Sequence, residues 1–231
     1  MPRLLAIETA TEACSVALLL GEEVQERFEV APRRHAALLL PFADALLADA
    51  GLALRELDAI AFGRGPGSFT GLRIAAGTAQ GMAFGADLPV VPVSTLAALA
   101  QGTVREVGAQ QVLAALDARM QEVYWGAYRR AGDGLVEPLE DDCVSAPSRV
   151  PVPVGGPWHG AGSGWASYGE TLARRCDLPA ERIHARRLPH AADTARLAAA
   201  LFERASVVPA QAAAPVYLRD RVADKPGSEL S

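Results

Sequence analysis

The sequence predicts a two-lobed α/β protein, and three observations carry that expectation. The first is an opening of three successive strand-like segments, at 3–7, 14–20 and 24–30, which reads as a β-meander. The second is a strand, glycine loop and helix in series. An apolar run at 57–62 leads into Gly63-Arg64-Gly65-Pro66-Gly67-Ser68-Phe69-Thr70-Gly71, and a proline-free segment at 70–84 follows. The third is a second strand-rich stretch beyond a polar, glycine-punctuated boundary at 101–108. Meander, helix, strand, helix and then a further strand-rich unit is the order of two α/β lobes. A chain of 231 residues is long enough for each lobe to enclose a core.

Each element has a local reason. The apolar runs 3–7 and 14–20 have strand length and are joined by a turn at 8–13. The segment 35–49 carries Ala36, Ala37, Leu38, Leu39, Leu40, Phe42, Ala45, Leu46 and Leu47. A helix apolar on nearly every side is either buried or lies beneath another protein. Gly51 ends it, and Pro41 predicts a kink or an irregular first turn. Past the glycine loop and its helix, 88–93 is a strand, and Ser94 is the N-cap of a helix over 95–101. In the second unit, strands at 112–116 and 122–128 are joined by Asp117-Ala118-Arg119-Met120-Gln121, where Asp117 and Arg119 form a hairpin charge pair. A short strand at 150–154 is interrupted by prolines and followed by glycine-rich 155–164. Helices are expected over 168–175 and, capped by Asp193, over 194–204; 225–231 reads as a loose tail.

Composition narrows the function. A net charge of −5 argues against independent nucleic-acid binding, because tight contact with a phosphate backbone needs a concentrated basic surface. The pairs Arg33-Arg34, Arg174-Arg175 and Arg186-Arg187 are outweighed by acidic residues elsewhere. Cys14, Cys143 and Cys176 make no C-x-x-C pair, so neither a zinc site nor a disulfide framework is indicated. His35, His159, His184 and His190 include no pair spaced four apart, so no metal site is expected. No signal peptide or bilayer-length apolar stretch is visible, and the expected location is the cytoplasm, away from any membrane.

The glycine loop has two readings. Backbone N–H groups at a helix N-terminus form a seat for an anion or phosphate. Alternatively the glycines supply the backbone freedom that a sharp turn needs. The loop is not a P-loop, since no lysine follows in the G-x-x-x-x-G-K arrangement. Its G-x-G-x-x-x-G spacing from Gly65 is one residue longer than the dinucleotide fingerprint. Gly77, Gly81 and Gly85 recur every four residues and share one helical face. Each costs roughly 1 kcal/mol relative to alanine in a helix interior. Close approach of another protein's helix, or of the chain's own sheet, would compensate.

Four segments together resemble one family. Leu5-Ala6-Ile7-Glu8-Thr9-Ala10-Thr11-Glu12-Ala13-Cys14-Ser15-Val16-Ala17-Leu18 is similar to the N-terminal hairpin of the TsaB (YeaZ) family. Arg64-Gly65-Pro66-Gly67-Ser68-Phe69-Thr70-Gly71-Leu72-Arg73 resembles its most recognisable motif. Leu116-Asp117-Ala118-Arg119 with Glu122-Val123-Tyr124 resembles its second hairpin, and Pro215-Val216-Tyr217-Leu218-Arg219 its C-terminal signature. The resemblance implies the two-lobed fold of the actin-like ATPase and sugar-kinase (ASKHA) group, each lobe a mixed sheet flanked by helices. On this chain it implies an N-terminal lobe at 1–104, a C-terminal lobe at 105–221 and a flexible tail at 222–231.

The resemblance also implies a role in forming N6-threonylcarbamoyladenosine at position 37 of tRNAs that read ANN codons. The chain would be the non-catalytic partner of TsaD, with TsaE as a third component, tRNA reached through the complex, and either a homodimer or a monomer in isolation. The paralogous catalytic subunit carries a metal-binding His-x-x-x-His pair; here those positions are Thr95 and Leu99, which cannot replace it. No cofactor is expected. A small-molecule kinase or ATPase of the actin-like class is the alternative. With that role in view, the expected partner surface comprises His35, Leu39, Phe42, Thr70, Arg73, Gly77, Gly81 and Gly85.

Overall fold

The computed structural model describes residues 2–219, so the tail expected at 222–231 lies outside the described residues. Two mixed sheets and five helices stack in alternating layers. The meander is β1 (Arg3–Glu8), β2 (Ala13–Leu20) and β3 (Glu23–Val30), all antiparallel. The helix α1 (His35–Ala50) follows, then β4 (Ala59–Gly65), α2 (Phe69–Ala86) and β5 (Val90–Ser94). β4 and β5 lie parallel to β1, which gives the first sheet the order β3-β2-β1-β4-β5. After α3 (Thr95–Val107), the second sheet is built from β6 (Gln111–Arg119), β7 (Glu122–Arg130), β8 (Val136–Pro138), β9 (Cys143–Ser145), β10 (Trp158–Ala161) and β11 (Ile183–His184). Its order is β11-β10-β6-β7-β8, with β9 also on β7; α4 (Ser163–Cys176) and α5 (Ala191–Glu203) complete the described elements.

Strand alternation divides the first sheet between two cores. Leu5, Ile7, Val16, Leu18, Ile60 and Phe62 face α1 and α2. Leu4, Ala6, Ala17, Leu19, Ala59 and Ala61 face α3, α5 and, beyond them, Val112 and Ala114 of the second sheet. Both faces are covered, so these strands are apolar throughout rather than alternating. A third core, around Trp125, Trp158 and Trp165, lies between the second sheet and α4.

The differences from expectation have physical causes. Helix α3 continues past residue 101 to Val107, where Gly108 closes it in the left-handed conformation, so the expected 104/105 division falls within a helix. Its polar residues do not mark a linker. Gln101 is buried and binds the second unit, donating to the Gly134 carbonyl and accepting from the Val136 N–H. Helix α5 begins at Ala191, so Asp193 is not its cap; its buried carboxylate accepts from Arg105 instead (2.9 Å). Helix α4 begins at Ser163, five residues before the expected start, and passes through a non-helical Tyr168. Residues 150–154 form no strand, since Pro151 and Pro153 lack the N–H a ladder needs. Pro41 does not break α1, which runs from His35 to Ala50 with the proline ring exposed. Gly51 and Ser94 cap their helices as expected.

Candidate partner-binding face

The glycine loop is closed by the chain's own first turn. The Ser68 N–H donates to the Ala10 carbonyl (2.7 Å), and Thr9 Oγ1 donates to the Gly71 carbonyl (2.8 Å). The Gly71 and Leu72 N–H groups are taken by Ser68 Oγ and the Ser68 carbonyl. A Cβ at Gly67 would sit 2.6 Å from the Ala10 oxygen, and one at Gly71 would sit 2.0 Å from the Thr9 oxygen. The glycines therefore admit the β1–β2 turn, whose Ala10 carbonyl takes the Ser68 N–H.

Glu8 anchors this clasp. It is 1% exposed; Oε1 accepts from the Ala10 N–H (2.8 Å) and Oε2 from Thr95 Oγ1 (3.2 Å). Burial pushes its carboxyl up to about 7, against the opposing pull of those hydrogen bonds. Thr95 and Leu99 are both core positions of α3. Among the described residues no three His, Cys, Asp or Glu side chains converge as a metal site would require. His159 Nδ1 and His184 Nε2 lie 3.0 Å apart as a pair, and burial holds both imidazoles below their ordinary range. The Asp117–Arg119 charge pair is present at 3.5 Å.

Helix α2 presents the expected stripe to the outside. A Cβ at Gly77, Gly81 or Gly85 would meet nothing within 4 Å, so these glycines do not pack against the chain's own sheet. Thr70 and Arg73 are exposed on the same helix. Between α2 and the segment after α5, a shallow groove is lined by Gly77, Gln80, Gly81, Phe84, Ala210 and Gln211.

Two of the α1 expectations need correction. Leu39 is 1% exposed and belongs to the core beneath α1 and α2. His35 is also buried, with Nε2 3.0 Å from the Thr11 carbonyl, where it holds the β1–β2 turn. Phe42 is half-buried against the same core. The outward side of α1 includes Ala36, Ala37, Leu40, Pro41 and Asp44 instead. The exposed aromatics of the face went unanticipated. Phe84 is 80% exposed, and Phe69 and Tyr217 are about half so. The apolar period would have pointed to Phe84, which precedes Gly85 on the stripe; Tyr217 reaches the face only through the fold.

The last described segment crosses this surface. Gln80 donates to the Ala213 carbonyl (2.6 Å), and the Val216 N–H donates to the Arg64 carbonyl (2.8 Å). Tyr217 then meets Arg73 and Phe69, and Arg219 reaches Glu122 and the Ala118 carbonyl at the β6–β7 hairpin. No helix among the described residues is long and apolar enough to cross a membrane.

The profile of a family described as TsaD, tRNA N6-adenosine threonylcarbamoyltransferase, matches residues 20–226. The tRNA threonylcarbamoyladenosine biosynthesis protein TsaB of Escherichia coli is 44% identical over 232 residues, spanning 98% of this chain and all of that one. The protein of the same name from Haemophilus influenzae is 41% identical over 236 residues, 98% of each chain. Among solved structures, YeaZ from Pseudomonas aeruginosa superposes with a TM-score of 0.87 at 49% identity, covering 94% of this chain and 100% of that one.

Proposed function

The chain belongs to the TsaB (YeaZ) family, with its actin-like, ASKHA-type fold, and from that premise we propose that it is a non-catalytic subunit that binds TsaD. Its curated relatives are named for tRNA threonylcarbamoyladenosine biosynthesis, and the chain takes part in that tRNA modification. The complex would also include TsaE and would reach tRNA through the other subunits.

One observation carries the reading: the open glycine stripe of α2 beside the protruding Phe84. Three glycines that cost helix stability, and whose Cβ positions are open among the described residues, leave a face on which a second backbone can settle closely. The buried Thr95 and Leu99, and the clasped glycine loop, support a scaffold rather than a catalyst. The kinase or ATPase alternative would place phosphate at the turn after the first strand, where Glu8 is buried and Glu12 adds a further negative charge.

Gly81→Leu tests the assignment. Its side chain enters open space, so the protein is expected to fold and stay soluble. Affinity for purified TsaD should fall at least about tenfold, since the leucine holds the two backbones apart. Calorimetry showing unchanged affinity would place the partner elsewhere.

A further inference from the structure

Arg73 is the single charged side chain of the 18-residue helix α2. It is not a free surface charge. The guanidinium carbon lies 4.0 Å above the centre of the Phe69 ring, and Nε donates to the Tyr217 hydroxyl at 3.3 Å. Phe69 and Tyr217 pack with centroids 5.4 Å apart, and Tyr217 is itself held by the neighbouring Val216–Arg64 backbone hydrogen bond. Among the described residues Arg73 makes no ion pair, and its two Nη groups make no hydrogen bond.

A partner that covers the glycine stripe, one turn along the helix, would also cover Arg73. Burying an unpaired guanidinium is costly unless a charged acceptor comes with the partner. The stack and the Tyr217 bond already hold the fork in place, so little side-chain freedom is lost when an acceptor arrives. We propose that Arg73, positioned by Phe69 and Tyr217, is the receptor for an Asp or Glu carboxylate on the partner. The inference rests on the partner-face reading above and names the chemistry that the partner must bring. A carboxylate is favoured over an RNA phosphate by the chain's net charge of −5, with exposed Asp44 on the adjacent α1.

The test measures TsaD binding by calorimetry, with and without tRNA. Arg73→Ala should weaken binding by about 30-fold or more, the usual cost of leaving an interfacial charge without its partner. Arg73→Lys keeps the charge but loses the fork, and should weaken it by about fivefold. Tyr217→Phe removes only the acceptor that orients Nε, and should weaken it by about threefold. Binding by the unaltered chain should fall as salt rises, and Arg73→Ala should flatten that dependence. Arg73 is exposed, so unchanged thermal unfolding of the variants serves as the control. If TsaD binds the unaltered chain and Arg73→Ala equally, the carboxylate receptor is wrong while the partner reading survives. A loss seen only with tRNA present assigns Arg73 to a phosphate and also overturns the inference. If the unaltered chain does not bind TsaD at all, the premise fails and the inference with it.

Discussion

Glu8 sits where the first strand meets the glycine loop, and it fits there because Gly63 has no side chain. A Cβ at Gly63 would lie 2.0 Å from Glu8 Oε2. Desolvation raises the carboxyl from its ordinary 4.5 to about 7, while hydrogen bonds from Ala10, Thr95 and Thr9 pull the other way. The folded protein thus holds this proton more tightly than the unfolded chain does. Its contribution to stability is therefore best below 4.5, falls as pH rises from 4.5 to 7, and is level above. Glu8→Gln keeps the shape and one acceptor without the charge. It should flatten the pH profile and stabilise the protein at alkaline pH, by on the order of 3 kcal/mol at most. Denaturant midpoints at about pH 5 and about pH 8 measure this. Parallel profiles for the two proteins would show that the carboxylate is hydrated and the clasp looser than described.

The glycines of the loop–α2 unit divide into two kinds. Those at Gly67 and Gly71 admit the β1–β2 turn, whereas Gly77, Gly81 and Gly85 border empty space. The second group weakens the helix by roughly 1 kcal/mol per residue, and a Cβ there would meet nothing among the described residues. Gly77→Ala and Gly85→Ala should therefore each raise the midpoint of thermal unfolding by about 2–4 °C while weakening TsaD binding. Gly71→Ala should instead destabilise, because its Cβ meets the Thr9 oxygen at 2.0 Å. Calorimetric unfolding and a binding titration on the same samples separate these outcomes. A drop in midpoint for Gly77→Ala would mean that the stripe supports the fold itself.

Across the whole molecule, α5 returns from the second half of the chain to cover the first sheet, and a polar knot fastens it there. Ser15 Oγ donates to Glu26 Oε1 (2.6 Å) and accepts from the Ala191 N–H (2.9 Å). Glu26 also accepts from the Ala192 N–H (3.1 Å) and pairs with His190 (3.0 Å), whose ring stacks on Phe28 at 4.2 Å. The carboxylate thus lies at the positive end of the α5 dipole. Burial alone would raise the Glu26 carboxyl, but the His190 and Ser15 hydrogen bonds hold it below its ordinary range. Burial alone would lower the His190 imidazole, but Glu26 raises it, with Asp193 and Glu106 adding to the effect. The Glu26 share of stability is present above 4.5 and lost as pH falls through its lowered folded value. The His190 share is complete below 6.5 and lost as pH rises through its raised folded value. Glu26→Gln should then cost about 1–3 kcal/mol near pH 6 and less near pH 9. Thermal unfolding at both values checks it, and an equal loss at each would assign the effect to the helix N–H bonds alone.

Local pattern and motif by themselves determined the meander, the glycine loop and its helix, the spacing of the glycine stripe and the family, because each is written in neighbouring residues; that the stripe is open is a result of the fold. Tertiary structure alone decided which way α1 faces. A helix apolar on every side has no directional period, so only the sheet beneath it could turn His35 and Leu39 inward and leave Leu40 outside. The same holds for the loop: its spacing admits an anion seat as well as a plain turn, and the contact with the Ala10 carbonyl, 58 positions earlier than Ser68, favours the turn. Arg73 met Tyr217 across 144 residues, and α5 met Ser15 across 176. Hydrogen bonds over such separations leave no local trace, since the partner of each polar group is selected by how the layers stack rather than by what lies beside it in the chain.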